Sequence, residues 1–246
     1  SDAEINWLLR RAEGGFGIVT TAASHVTSGG QGWVGEMGVW GDHQMPGLTR
    51  LAEGIRERDA LGLAQIFHGG MRAPEELTGE QPVSASENPC TEAHCGHSRE
   101  LAGDEIEGLI TAFGDAAVRC STAGFDGVEL HGAHGYLICQ FLGDGTNRRD
   151  DEWGGPIESR ARFLLRIIEE VKSRVPENFL VGVRISPEYP KIGVRIEDSL
   201  ALSEMLVEAG IDFLHISCWD SFIPSSDFPD DPRMITEWFS EPLSGR

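Results

Sequence analysis

The sequence predicts an α/β fold of the (β/α)8 TIM-barrel type, incomplete, and three observations predict it. Short apolar runs near positions 16, 61, 125, 179 and 212 alternate with longer stretches of helical periodicity. The runs are apolar on both faces, as strands of a buried parallel sheet are. Polar, chemically capable residues gather just past the carboxyl ends of these runs, where a barrel of this kind carries its site. The 246 residues match the roughly 250 of such a barrel, and residues 1–246 read as a single partial domain. Long loops consume the length that the missing strands would need.

Taken in order, a helix begins near Asp2, a candidate N-cap, with Ile5, Leu8, Leu9 and Ala12 on one face and Gly14-Gly15 as its stop. The strand 16–20 follows, then a Gly-, Ser- and Thr-rich loop over 21–44. A helix from Met45 to Asp59 leads to the strand Leu61 to Phe67. A second long loop covers 73–102. The helix from Asp104 to Thr122 carries Ile106, Leu109, Ile110, Phe113, Ala117 and Cys120 at helical spacing. The strand 125–130 comes next. Pro156 suits the first turn of a helix whose stripe is Phe163, Leu164, Ile167, Ile168, Val171 and Val175. The strand 179–186, a helix from Ile196 to Ala209 closed by Gly210, and the strand 212–217 complete the alternation. A short helix is expected near Ile235 to Phe239.

Composition excludes several classes. A net charge of −20 opposes nucleic acid or an anionic membrane as partner, since both need a basic footprint. Five cysteines, at 90, 95, 120, 139 and 218, suit reduced thiols in a cytosol better than a disulfide framework. No apolar run approaches the ~20 residues that span a bilayer and no basic-then-apolar leader opens the sequence, so a soluble, cytoplasmic protein is expected. Cys90, His94, Cys95 and His97 lie close together but lack paired ligand spacing, so no metal site is assigned to them.

The chemistry concentrates after Leu130, where His131, His134 and Tyr136 follow in quick succession. If the chain enters a helical turn there, the two imidazoles share a side. Both can then hold one carbonyl or phenolate oxygen while the tyrosine acts as a general acid. Gln65 closes another strand and offers a donor and an acceptor to an amide-like ring edge, although taken alone a hydrogen-bonded core glutamine accounts for it slightly better. Arg184 ends an otherwise apolar strand, where a guanidinium needs either an electron-rich ligand or an ion pair with a neighbouring strand.

The run His131-Gly132-Ala133-His134-Gly135-Tyr136-Leu137, with Gln140-Phe141-Leu142, Asn147-Arg148, Asp151, Gly154-Gly155 and Arg160-Ala161-Arg162-Phe163, resembles the signature of the old yellow enzyme family of FMN-dependent ene-reductases and NADH:flavin oxidoreductases. Gly143-Asp144-Gly145 stands where that family usually has Ser-Pro, and Trp153 and Ser159 replace a common Tyr and Asn. The resemblance runs from Asp2 to about Phe239. It implies strands two to six of an eight-stranded barrel, without the last two strands that hold the FMN phosphate. By the same resemblance, hydride passes from NAD(P)H through FMN to an activated alkene. His131 and His134 bind the substrate oxygen, Tyr136 supplies a proton, and Gln65, Arg184 and Ala23 contact the flavin. His68 helps to shape the pocket.

Five parallel strands cannot close, and their edges invite a second copy or a complementing chain. Two rivals therefore stand beside the flavin oxidoreductase: a truncated, inactive fragment or interaction subunit, and a flavin-free, metal-dependent barrel enzyme using His131, His134 and Glu129.

Overall fold

In the computed structural model, residues 1–240 are described. Helix α1 spans Asp2–Glu13 and is capped by Ser1, whose hydroxyl accepts the Glu4 amide; Asp2, the expected cap, is the first helical residue. Strands β1, Ile18–Thr20, and β2, Ser24–His25, precede α2, Met45–Arg56, and β3, Leu61–Phe67. The loop expected over 73–102 contains a short helix α3, Glu75–Thr78, and two short strands, β4 at Val83–Ser84 and β5 at Arg99–Glu100, that pair in parallel.

The second half comprises α4, Gly103–Ala123, β6, Gly127–Gly132, α5, Leu137–Leu142, α6, Ile157–Arg160, and α7, Arg162–Arg174. It ends with β7, Leu180–Ile185, α8, Ile196–Glu208, β8, Phe213–Ile216, and α9, Glu237–Ser240. The helix expected to start at Pro156 is divided at Ala161 into α6 and α7. Arg160 explains the division: its guanidinium reaches the Gly155 and Leu142 carbonyls and the Asp198 carboxylate at 2.7 Å, binding α6 to the loop before it and to α8.

Apart from the β4-β5 pair, the described strands form one wholly parallel sheet in the order β1-β3-β6-β7-β8, with β2 also on β3. β1 and β2 lie in succession along one side of β3, so the first strand is longer than expected and broken at 21–23. Thr21 bridges the break: its amide donates to the Leu63 carbonyl and its hydroxyl accepts the Gln65 amide at 3.0 Å. On the outer face Val128 and Leu130 are wholly buried in the same core as Phe113 of α4 and Phe163 of α7, whose rings meet edge to face.

Strand alternation puts every second residue on the other face. Register then aligns the inner face in rows. Leu63 stands beside Gly127 and Leu180, Gln65 beside Glu129 and Gly182, and His131 beside Arg184 and His215. The apolar row lies deep and the polar rows lie towards the carboxyl ends. The outer strands stay open: β8 pairs only with β7 among the described residues, and Ile18 of β1 is 53 % exposed.

Close strand packing requires a bare backbone at Gly127, where a Cβ would stand 2.4 Å from the Leu180 carbonyl oxygen. Gly127→Ala should lower unfolding stability by about 1–3 kcal/mol through overpacking, read from the urea midpoint at constant m-value.

Candidate functional site

Each side chain of the site stands at the carboxyl end of a strand or just beyond it. His131 is still within β6, not in a helical turn; the chain then reverses sharply, with His134 at φ +61° and Gly135 at φ +75°. The two imidazoles meet through this left-handed turn, with ring centroids 4.9 Å apart and planes at 85°. A non-glycine residue in that conformation is strained, and the turn is held by the Ser186 hydroxyl, which accepts the His134 amide at 3.0 Å, and by Arg72, which donates to the His134 carbonyl at 2.8 Å.

Tyr136 leads into α5, its ring 5.1 Å from His131 and 4.8 Å from Phe67, with the Arg72 guanidinium 4.6 Å above it. A surface cleft of about 660 Å³ beside Met71 and the 89–96 loop reaches this group only through Arg72.

Both histidines are held neutral. Burial first, then the neighbouring His134 and Arg184, push His131 down to about 2; burial, Arg184 and Arg72 bring His134 down to about 4. The tautomers follow from their partners. The Ala133 amide donates to His131 Nδ1 at 3.2 Å, leaving the proton on Nε2. Ser217 Oγ accepts from Arg184 Nη2 at 2.9 Å and lies 2.7 Å from His134 Nε2; when its own proton points to that nitrogen, His134 carries its proton on Nδ1. In that arrangement each ring keeps one N–H without a partner among the described residues.

Beneath this group, Gln65 Nε2 donates to Glu129 Oε1 at 2.5 Å, and Glu129 Oε2 meets His215 Nδ1 at 2.9 Å. Burial alone would raise the Glu129 carboxyl, but the hydrogen bonds from His215 and Gln65 keep it below the usual range, so it is ionised. Its side chain thus reaches a residue two strands away, and the space over the intervening Gly182 is taken by the Phe213 ring, which a Cβ would approach to 2.0 Å.

The structure therefore gathers His131, His134, Tyr136, Gln65 and Arg184 on one side of the sheet. Ala23 is buried in the break between β1 and β2, level with Gln65. His68 is buried too; its Nδ1 accepts the Gly70 amide and its carbonyl accepts the Leu137 amide, tying the end of β3 to α5. Ser217, Ser186, Arg72, and Glu129 with His215 in their observed bonds were not singled out from the sequence. A period-two reading of Phe213, His215 and Ser217 would have found the last strand's share.

Glu129 faces Gln65 and His215 rather than completing a set with His131 and His134, and among the described residues no three His, Cys, Asp or Glu side chains come together as metal ligands. No described helix is long and apolar enough to cross a membrane. One observation bears on a cofactor: Arg184 Nε is buried and has no hydrogen-bond partner among the described residues. A guanidinium in that state suits an electron-rich ring edge, and the Gln65 carbonyl, which also accepts no bond from the described residues, suits a ring N–H. The inner face fits a flavin.

The model of the NADH:flavin oxidoreductase / NADH oxidase family matches residues 1–236. A Bacillus subtilis protein named "Probable NADH-dependent flavin oxidoreductase" is 40 % identical over 225 residues, 89 % of this chain and 60 % of its own length. The NADH:fumarate oxidoreductase of Klebsiella pneumoniae is 36 % identical over 96 % of this chain, but only 26 % of that protein is covered. Among solved structures, 2-naphthoyl-CoA reductase superposes with a TM-score of 0.84 at 32 % identity, over 89 % of this chain and 35 % of the other. The old yellow enzyme homologue of Zymomonas mobilis gives 0.83 at 28 % identity, over 97 % and 70 %. The chain thus spans about three fifths, or less, of the curated relatives named here.

Neutral burial of the histidines has a consequence for stability. Unfolded, each takes up a proton near pH 6.5; folded, His134 does so only near 4 and His131 near 2. Stability is therefore full above about pH 6.5 and falls as the pH drops through this window. His131→Asn should show a shallower loss than the unaltered chain in urea unfolding between about pH 6.5 and 4.

Proposed function

Because the chain belongs to the NADH:flavin oxidoreductase / NADH oxidase family, of old yellow enzyme type, we propose that its site serves hydride transfer from NAD(P)H through FMN to an activated alkene. The observation that carries this reading is the buried, unpartnered Arg184 Nε beside two neutral histidines, each with a free N–H. Bound FMN would supply the hydride chemistry, accepting it from the nicotinamide and releasing it to the alkene.

The chain's own residues do the rest. Arg184, already anchored through Ser217, meets negative charge at the ring edge, and Gln65 offers its free carbonyl to a ring N–H. Ala23, small and buried, leaves room beside the ring. His131 Nε2–H and His134 Nδ1–H converge on the substrate's carbonyl oxygen and stabilise the charge that develops there. Since both rings stay neutral, they donate without surrendering their protons. The proton is therefore assigned to Tyr136, whose hydroxyl makes no bond to the described residues and can pass it to the carbon next to the carbonyl.

A second reading has its own support. Among the described residues β1 and β8 leave the sheet open on both sides, and beyond β8 the residues Trp219 and Phe222 are exposed. Those edges suit further strands, whether from a longer form of this polypeptide, a second copy or a complementing chain.

Titration of the purified chain with FMN, followed by fluorescence quenching, tests the reading directly. Stoichiometric binding that is lost in Arg184→Ala supports it, whereas no binding by a folded chain favours the open-edge reading. Where FMN binds, Tyr136→Phe should slow alkene reduction by about 100-fold or more while leaving NAD(P)H-driven flavin bleaching unchanged in stopped flow. Equal loss of both half-reactions removes the tyrosine from the proton-donor role.

A further inference from the structure

We infer that Glu129 is a positioning residue that fixes which way the Gln65 amide points, and so which hydrogen-bonding atom Gln65 presents to the flavin; this rests on the flavin reading above. A glutamine amide can be reversed end for end with little change in shape, and its partners decide the orientation. Here the partner settles it. The Glu129 carboxylate is buried and ionised, and an ionised carboxylate only accepts, so the atom 2.5 Å from Oε1 must be the amide nitrogen. Gln65 Oε1 is thereby left as the acceptor, and among the described residues nothing donates to it.

Three features of the fold hold the carboxylate in place. Gln65 and Glu129 are register partners on β3 and β6, so their side chains leave the sheet side by side. The Gln65 backbone is fixed from the opposite strand by the Thr21 hydroxyl. The second carboxylate oxygen is tied to His215 across Gly182, which prevents Glu129 from rotating away. The charged groups around Glu129 are His215 of β8 and Arg184 of β7, both of which favour its ionised form. Glu129 touches neither of the atoms assigned to the substrate; it acts through Gln65.

Glu129→Gln keeps the shape but replaces an obligate acceptor with a group that can also donate, so the Gln65 amide is free to reverse. FMN affinity measured by fluorescence quenching should fall by about tenfold in this variant, roughly one hydrogen bond. In a Gln65→Ala background the same substitution should change affinity by less than about twofold, because the group it acts through is gone. An equal fall in both backgrounds overturns the inference and makes Glu129 merely structural. A second measurement needs neither flavin nor a variant. In the unaltered, flavin-free chain, one side-chain amide proton of Gln65 should be shifted downfield and protected from solvent exchange in nitrogen-15 NMR. Both protons exchanging freely overturns the orientation. If the unaltered chain binds no FMN, the flavin reading falls with the role assigned to Gln65, and the amide resonance still decides whether Glu129 orients it.

Discussion

A carboxylate buried in the middle of a parallel sheet is the constraint on which the inner face depends. Glu129 sits among apolar strands where an unpaired charge would cost several kcal/mol, and two hydrogen bonds, from β3 and from β8, make its ionised form stable there. The side chains on either side are arranged around that requirement. Gly182 has no side chain, and Phe213 lays its ring in the space this leaves. Gln65 and His215 turn inward to meet the charge. Above this row the second set of polar groups, His131, Arg184 and Ser217, can be devoted to what enters from outside.

The electrostatics of the two rows differ in kind. Below, opposite charge and hydrogen bonds stabilise an ionised group. Above, burial and the guanidinium suppress protonation of His131 and His134, so neither of these two rings carries positive charge at neutral pH. A site built in this way offers donors whose protonation does not change across the physiological range, and it separates the task of holding an oxygen from the task of delivering a proton.

The architecture was legible in the sequence because parallel strands buried on both faces leave continuous apolar runs; the runs at 61, 125, 179 and 212 became β3, β6, β7 and β8. The break that creates β2 was hidden, since Thr21-Ala22-Ala23 is no more polar than a loop and its role depends on Thr21 meeting a strand far along the chain. The division of the helix at Ala161 was hidden for the same reason: Arg160 finds its partners in two other elements. Within the candidate site, His131, His134, Tyr136, Gln65 and Arg184 stood out in the sequence because polar residues at strand ends are unusual. Of the left-handed turn only Gly135 gave a local signal; His134 in the same conformation gave none, for glycine rather than histidine marks such turns. The bonds of Glu129, Ser217 and Ser186 are tertiary and have no local pattern.

The hydrogen bonds of Glu129 join residues 64 and 86 positions apart in the chain. A slip of β6 by one residue against its neighbours would turn every inward side chain outward, delivering the carboxylate into the hydrocarbon layer beneath α4 and α7 and leaving Leu130 facing the polar row. Hydrophobicity alone discriminates weakly between the two alignments, because both faces of the strand are buried. The charge makes the wrong alignment costly, so the register of this sheet depends on Glu129 as well as on apolar burial.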